Sequence, residues 1–352
     1  METASNQTLR IIDANLNRIG EGLRFLDDVG RLLLDDSDLS QQLKNLRHEM
    51  VRGDWPFHQR LLQARDSEGD VGIDLEVPGE EKPRELPIAI VANSRRVQES
   101  MRVLEELAKL PGTSLDVEKF RHARFTLYTM EKTLLSRLLR RDKLANMTGL
   151  YVIIDTSALK GRSHIEVATQ SVRGGARTIQ LRDKLLSKKE LLSVARQLKE
   201  LCAEQDVLFI MNDYLDVALA VDAGGLHLGQ DDLPAWQARK LLPVDKLLGI
   251  SARTVELATA AQSEGADYVG VGSIYPTSSK EKVVVVGLER LRQIRQAVTL
   301  PLVAIGGING DNVAETLAAG ADSVAVISAV VGAEDVEKAA RDIVSGIEAQ
   351  NG

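Results

Sequence analysis

The second half of the chain alternates short apolar runs with amphipathic helical stretches, and this alternation limits the fold more than any other feature. The runs occupy residues 150–154, 178–181, 207–211, 225–228, 247–250, 268–272, 302–305 and 323–327. Each is too short for a helix of its own and mainly apolar, which is the pattern of a strand buried on both faces. Helical stretches such as 188–204, 254–264, 288–297 and 311–319 lie between them. Most helices lead into the next run through glycine (Gly174-Gly175-Ala176, Gly224-Gly225, Gly265-Ala266-Asp267, Gly320-Ala321-Asp322), as a left-handed helix cap requires. Strands of this kind alternating with helices form a parallel sheet, and eight units close it into an α/β (β/α)8 TIM barrel. The competing fold is a doubly wound open sheet. It is disfavoured because the unit count closes and no Gly-x-Gly-x-x-Gly turn follows the first run.

The first half follows a different grammar. Residues 8–145 carry Leu, Arg and Glu at spacings of three and four with few β-branched runs, so they read as helices. Residues 65–87 interrupt them with Gly69, Gly72, Pro78, Gly79, Pro83 and Pro87, and read as a connection or an irregular strand region. This half is internally duplicated. Ala14-Asn15, Arg18, Glu21, Arg24 and Leu26-Asp27-Asp28 return as Ala92-Asn93, Arg96, Glu99, Arg102 and Leu104-Glu105-Glu106. A weaker echo pairs Leu46-Arg47-His48 with Phe120-Arg121-His122. Duplicated units pack against one another. The repeated polar residues are expected near one helical face, either as a solvated, salt-bridged surface or as the lining of a polar cleft. The expected domains are therefore a mainly α-helical domain at 1–145 and the barrel at 146–352.

At 352 residues the chain has room for about two domains of 100–200 residues each. A net charge of −7 argues against a nucleic-acid surface as the main business while allowing a local cationic pocket. Cys202 is the single cysteine, so neither an intramolecular disulfide nor a thiolate metal cluster can form, and it is expected to be a core thiol. No run of 18 apolar residues occurs and Met1 to Asn6 lacks a signal-peptide core, so a cytoplasmic protein without a membrane partner is expected.

Catalytic groups of a barrel lie at the C-terminal ends of its strands. Gln180, Arg182 and Lys184 alternate after the second run, so an amide and two cations should face the barrel mouth together. Asp213, after Asn212 at the third run, is either a metal ligand or the cap of the next helix. Asp232 follows the fourth run, and the two carboxylates could share one hard divalent cation such as Mg2+ with waters and phosphate oxygens. The fifth run leads to Ser251. The sixth breaks at Tyr275-Pro276 into Thr277, Ser278, Ser279 and Lys280, whose hydroxyls and ammonium suit an anion. Gly306-Gly307 and Ile327-Ser328, at the last two runs, occupy the usual barrel phosphate site. A metal, a cationic patch and a phosphate cradle across the mouth describe a site for two phosphorylated ligands. No general-base constellation is evident, and His227 reads as a buried structural histidine. That absence suits chemistry driven by departure of pyrophosphate, which needs charge stabilisation more than a proton acceptor.

Gln180-x-Arg-x-Lys, Asn212-Asp, His227-x-Gly-Gln-x-Asp, Ser251, Gly272-x-Ile-Tyr-Pro-Thr-x-Ser-Lys, Ile305-Gly-Gly-Ile and Ile327-Ser closely resemble thiamine-phosphate synthase. The one departure, Ser279 in place of a threonine, keeps the hydroxyl. The resemblance implies that 4-amino-2-methyl-5-(diphosphooxymethyl)pyrimidine binds at Gln180, Arg182, Lys184, Asn212 and Ser251. It also implies that Asp213 and Asp232 hold Mg2+ on its diphosphate. Thiazole phosphate, or its carboxylate, would bind Thr277, Ser279, Gly307, Ile327 and Ser328, with Lys280 on the pyrophosphate. Lys280, Ser251 and Arg182 are the candidate catalytic residues. Pyrophosphate would leave first, and the thiazole nitrogen would capture the resulting pyrimidine carbocation to give thiamine phosphate.

The first half is similar to the helical domain fused to this synthase in cyanobacteria, which is associated with hydroxymethylpyrimidine-phosphate kinase activity. The motifs are Asp13-Ala-Asn-x-x-Arg-x-x-Glu-Gly-x-Arg, Gly69-Asp-Val-Gly and Ala92-Asn-x-x-Arg-x-x-Glu-x-x-Arg. The chain has no P-loop, so ATP as a second ligand rests on the resemblance alone. A dimerisation or regulatory module is the other reading of this half, and a homo-oligomer is compatible with both. For the barrel the alternatives are a thiazole tautomerase, which would not need Asn212, Asp213 and Asp232, and a ligand sensor.

Overall fold

The computed structural model describes residues 4–66, 69, 85–277 and 284–351. It divides into two compact units, Met1–Leu139 and Arg140–Gly352. The first unit is built from helices α1 (Asn6–Leu32), α2 (Ser37–Val51), α3 (Trp55–Ala64), α4 (Leu86–Leu107) and most of α5 (Val117–Asn146). Ser5 caps α1 by accepting from Thr8 N at 3.2 Å. Leu9, Ile12, Leu16, Ile19, Leu23 and Leu26 recur every three or four residues along α1 and are buried. They join Met101, Leu104, Phe120 and Leu127 of α4 and α5 in the core of the unit. A side-chain carbon on Gly22 would overlap Val97 of α4, so glycine permits the close approach of these two helices.

The sequence duplication is also a structural one. Asn15 of α1 donates to the carbonyl of Ile11 at 2.8 Å, and Asn93 of α4 donates to that of Ala89 at 2.9 Å. The expectation of one shared polar face is corrected. Asn15 is buried, whereas Arg18, Glu21, Arg24, Arg96, Glu99 and Arg102 are exposed. Each step of three residues falls short of a helical turn by about 60°, so the row winds around the helix and its first member turns inward. Arg24 pairs with Asp28 at 3.3 Å and Arg102 with Glu105 at 2.6 Å, along their own helices. Most of the expected 65–87 connection, including Gly72, Pro78, Gly79 and Pro83, lies outside the described residues. Its last two residues belong to the first turn of α4, where Pro87 needs no intrahelical partner.

In the second unit eight parallel strands close a barrel in sequence order, with β8 paired back to β1. They are β1 (Gly149–Asp155), β2 (Thr178–Arg182), β3 (Leu208–Asn212), β4 (Gly225–Leu228), β5 (Leu247–Ala252), β6 (Tyr268–Gly272), β7 (Leu302–Ile305) and β8 (Ser323–Val326). The helices between them are α6 (His164–Arg173), α7 (Lys188–Glu204), α8 (Leu215–Ala220), α9 (Ala235–Leu241), α10 (Val255–Ser263), α11 (Gly287–Ala297) and α12 (Val313–Ala318). Helices α13 (Ser328–Val331) and α14 (Val336–Asn351) follow β8. All eight expected strands are present, three with the expected ends and five with an end moved by one or two residues. Alternation sends Leu150, Val152 and Ile154 outward to the helices, while Tyr151, Ile153, Ile210, Tyr268 and Val303 fill the barrel. Gly265 adopts φ 93° after α10, the left-handed cap its position required. Cys202 is buried, as expected, and burial pushes its thiol up to about 12. Among the described residues no helix is long and apolar enough to cross a membrane.

Candidate active site

A cavity of about 610 Å³ opens at the C-terminal ends of the strands. The three alternating residues of the second strand line it together: Gln180, Arg182 and, just beyond the strand, Lys184. Gln180 is buried and donates through Nε2 to the Tyr151 hydroxyl at 2.7 Å. Arg182 donates to the carboxylate of Asp155, the last residue of β1. Burial alone would raise the Asp155 pKa. Hydrogen bonds from Ser157 and the Arg182 guanidinium outweigh it and hold the carboxyl below its usual range.

Lys184 Nζ lies 2.5 Å from Asp213 Oδ2, and this bond raises the lysine pKa. Asp213 does not cap the next helix, which starts at Leu215 without a side-chain capping bond. It adopts φ 62°, a left-handed conformation that Asp tolerates better than most side chains, and its N–H donates to the His227 carbonyl at 2.9 Å. Asp232 accepts from Gly229 N at 2.7 Å. Its pKa is raised, first by burial and then by the neighbouring Asp213 carboxylate. Two carboxylates and a lysine therefore share one corner of the cavity. Among the described residues no group of three or more His, Cys, Asp or Glu side chains could hold a metal. The donor set suits a hard ion that keeps waters and takes its other ligands from phosphate, as Mg2+ does.

Asn212, also buried, and Ser251 line the cavity beside these groups. On the far side lie Thr277, Gly306, Gly307, Ile327 and Ser328. Gly307 has φ 68°, and a side-chain carbon there would stand 2.5 Å from the Pro276 carbonyl oxygen, so only glycine fits without a shift. The Asn312 side chain shapes this loop by donating to the Gly307 carbonyl at 3.0 Å and accepting from Asn309 N at 2.9 Å. Ser279 and Lys280 lie outside the described residues.

His227 is not the sealed core histidine expected. It is half-buried, lines the cavity and places Nε2 2.9 Å from Ser251 Oγ and Nδ1 3.1 Å from the Tyr268 hydroxyl. Asp155, Tyr151 and Tyr268 were not among the expected site residues. Alternation along β1 and β6 was the available signal, since it turns each of them inward, Asp155 from the end of its strand. Gln230 and Arg253 line the cavity too, and Gln230 donates to the Ser251 carbonyl at 2.5 Å.

Residues 150–330 match the family described as thiamine monophosphate synthase, and residues 10–133 match the ThiD2 family. A thiamine-phosphate synthase of Nostoc punctiforme is 37% identical over 333 residues, spanning 95% of this chain and 92% of that protein. The chain belongs to the thiamine-phosphate synthase family. A thiamine-phosphate synthase of Moorella thermoacetica is 54% identical over 193 residues, which are 54% of this chain and 92% of the relative. The solved thiamine phosphate pyrophosphorylase of Pyrococcus furiosus shares 43% identity at a TM-score of 0.55, over 59% of this chain and 100% of that one. The chain is thus a thiamine-biosynthetic transferase acting on small molecules, and its first half carries the helical domain that the repeat motifs suggested.

Proposed function

We propose that the barrel joins 4-amino-2-methyl-5-(diphosphooxymethyl)pyrimidine to thiazole phosphate, giving thiamine phosphate and pyrophosphate; the thiazole phosphate carboxylate gives the same products with loss of CO2 and uptake of one proton at the ring carbon that carried it. The observation that carries this reading is the division of one cavity into two anion-binding sides. Arg182 and Lys184 stand with Asp213 and Asp232 on one side, and the Gly306-Gly307 and Ile327-Ser328 loops stand on the other. The pyrimidine diphosphate takes the first side, with Gln180, Asn212 and Ser251 on its ring. The thiazole phosphate takes the second with Thr277 and Ser279. Asp213 and Asp232 hold Mg2+, which when bound neutralises charge on the diphosphate. Lys184 then exchanges its bond with Asp213 for one with a phosphate oxygen, while Asp155 keeps the Arg182 fork oriented.

The bond between the pyrimidine methylene carbon and the diphosphate oxygen breaks first, its electron pair leaving with the diphosphate. The methylene cation is delocalised into the aminopyrimidine. The lone pair of the thiazole nitrogen closes the new C–N bond, and no proton needs to be removed. Arg182 and Lys280 stabilise the departing charge, and Ser251 fixes the ring. The test is the condensation itself. Full-length protein supplied with both precursors and Mg2+ should release thiamine phosphate and pyrophosphate in equal amounts, and a chelator should stop it. Retained ligand binding with no product would favour a sensor.

For the first unit we propose phosphorylation of the pyrimidine monophosphate by ATP, which would supply the diphosphate that the barrel consumes. Its support is the match over residues 10–133 and a duplication that persists in three dimensions at Asn15 and Asn93. Full-length Asp213→Ala, which should not consume the diphosphate, is expected to accumulate it from the monophosphate and ATP. Absence of any diphosphate would leave the dimerisation or regulatory role.

A further inference from the structure

Five side chains, each from a different strand, are linked by hydrogen bonds across the floor of the barrel cavity. Gln180 Nε2 donates to the Tyr151 hydroxyl at 2.7 Å, and the Tyr151 and Tyr268 hydroxyls lie 3.2 Å apart. Tyr268 meets His227 Nδ1 at 3.1 Å, and His227 Nε2 meets Ser251 Oγ at 2.9 Å. The barrel makes room for this chain with glycine. A side-chain carbon on Gly249 would overlap the Tyr268 ring, and one on Gly270 would stand 2.9 Å from His227 Cε1.

The donors run in one direction. Tyr151 accepts from Gln180, and the Tyr268 oxygen is the described acceptor within reach of its own proton. Burial raises the pKa of both phenols, so both keep their protons. With Tyr268 donating to His227 Nδ1, the tautomer that fits both contacts carries its proton on Nε2 and donates to Ser251. The serine oxygen is used as an acceptor, and its own O–H remains for the cavity. At the other end, Gln180 gives one amide N–H to Tyr151, which sets the orientation of the amide and leaves its carbonyl oxygen for the ligand.

We propose that Tyr151, Tyr268 and His227 are positioning residues that set the hydrogen-bonding polarity of the ring subsite, fixing Gln180 as an acceptor and Ser251 as a donor. This rests on the pyrimidine assignment above. A 4-aminopyrimidine fits that pair, because its amino group donates to Gln180 and a ring nitrogen accepts from Ser251. The corresponding pyrimidin-4-one, with a carbonyl in place of the amino group, needs the reverse order. Reversal would require the Gln180 amide to turn over and every proton in the chain to move.

A double-mutant cycle tests this, with Tyr268→Phe and Ser251→Ala assayed on the aminopyrimidine diphosphate and on its 4-oxo analogue. Tyr268→Phe should lower kcat/KM for the amino substrate by about tenfold, or about 1.4 kcal/mol, and narrow the preference over the oxo analogue. In the Ser251→Ala background the same change should cost less than about twofold, because its target is gone. Tyr151→Phe, at another link, should repeat the pattern, with thermal unfolding used to confirm that each variant is folded. Equal losses in both backgrounds, or an unchanged amino-over-oxo preference, would overturn the relay while leaving the pyrimidine assignment standing. A wild type that forms no thiamine phosphate would sink that assignment, and the relay with it.

Discussion

Asp155 is a carboxylate whose burial opposes its charge, and two neighbours reverse the balance. Ser157 donates to it through N at 3.0 Å and Oγ at 2.5 Å, and Arg182 supplies the guanidinium. A depressed folded-state pKa means that the charged form is stabilised by folding. That contribution is complete above the unfolded aspartate value of about 4 and is lost as pH falls through the lower folded value. Asp155→Asn should therefore be less stable than wild type at pH 7, and the gap in Tm should shrink towards pH 3. A gap that stays constant with pH would mean that charge is not what the residue contributes. The same substitution frees Arg182 and should raise KM for the pyrimidine diphosphate. Asp155 lay one residue past the expected end of the first strand, and its role became visible only once Arg182 was placed beside it.

Among the elements, α1 and α4 show how closely two helices can approach when one carries glycine at the crossing. Gly22→Ala would drive a methyl group into Val97, and overpacking of this kind costs about 1–3 kcal/mol. Thermal unfolding of the full chain should lose that stability while synthase turnover at 25 °C holds; unchanged unfolding would show that the crossing can relax. The barrel strands were legible because strands buried on both faces are mainly apolar, and eight of them leave a period that a sequence displays directly. The cluster at Gln180, Arg182 and Lys184 was legible for a related reason, since alternation alone turns all three to the same side. His227 was not. One apolar-flanked histidine looks the same whether it is sealed in a core or joined to Ser251 and Tyr268, and those partners lie 24 and 41 residues away. The polar row of α1 misled for the opposite reason, because spacing in threes resembles helical periodicity but drifts off the face within two turns.

At the scale of the molecule, two compact units carry two family matches on one chain, 10–133 in the first and 150–330 in the second. Each unit has its own buried core, of Leu, Ile and Met in the helical unit and of strand and helix residues in the barrel. In the proposed reaction one barrel cavity would hold two phosphorylated substrates, and Asp213 and Asp232 would hold a cation that neutralises charge on the diphosphate. The most direct measurement is thiamine phosphate formation by full-length wild type and Asp213→Ala at limiting Mg2+, with folding of both checked by circular dichroism. The variant should keep its fold and lose turnover by roughly a hundredfold or more, with excess Mg2+ restoring only part of it. Turnover equal to wild type at limiting Mg2+ would contradict the metal assignment and the division of the cavity built on it.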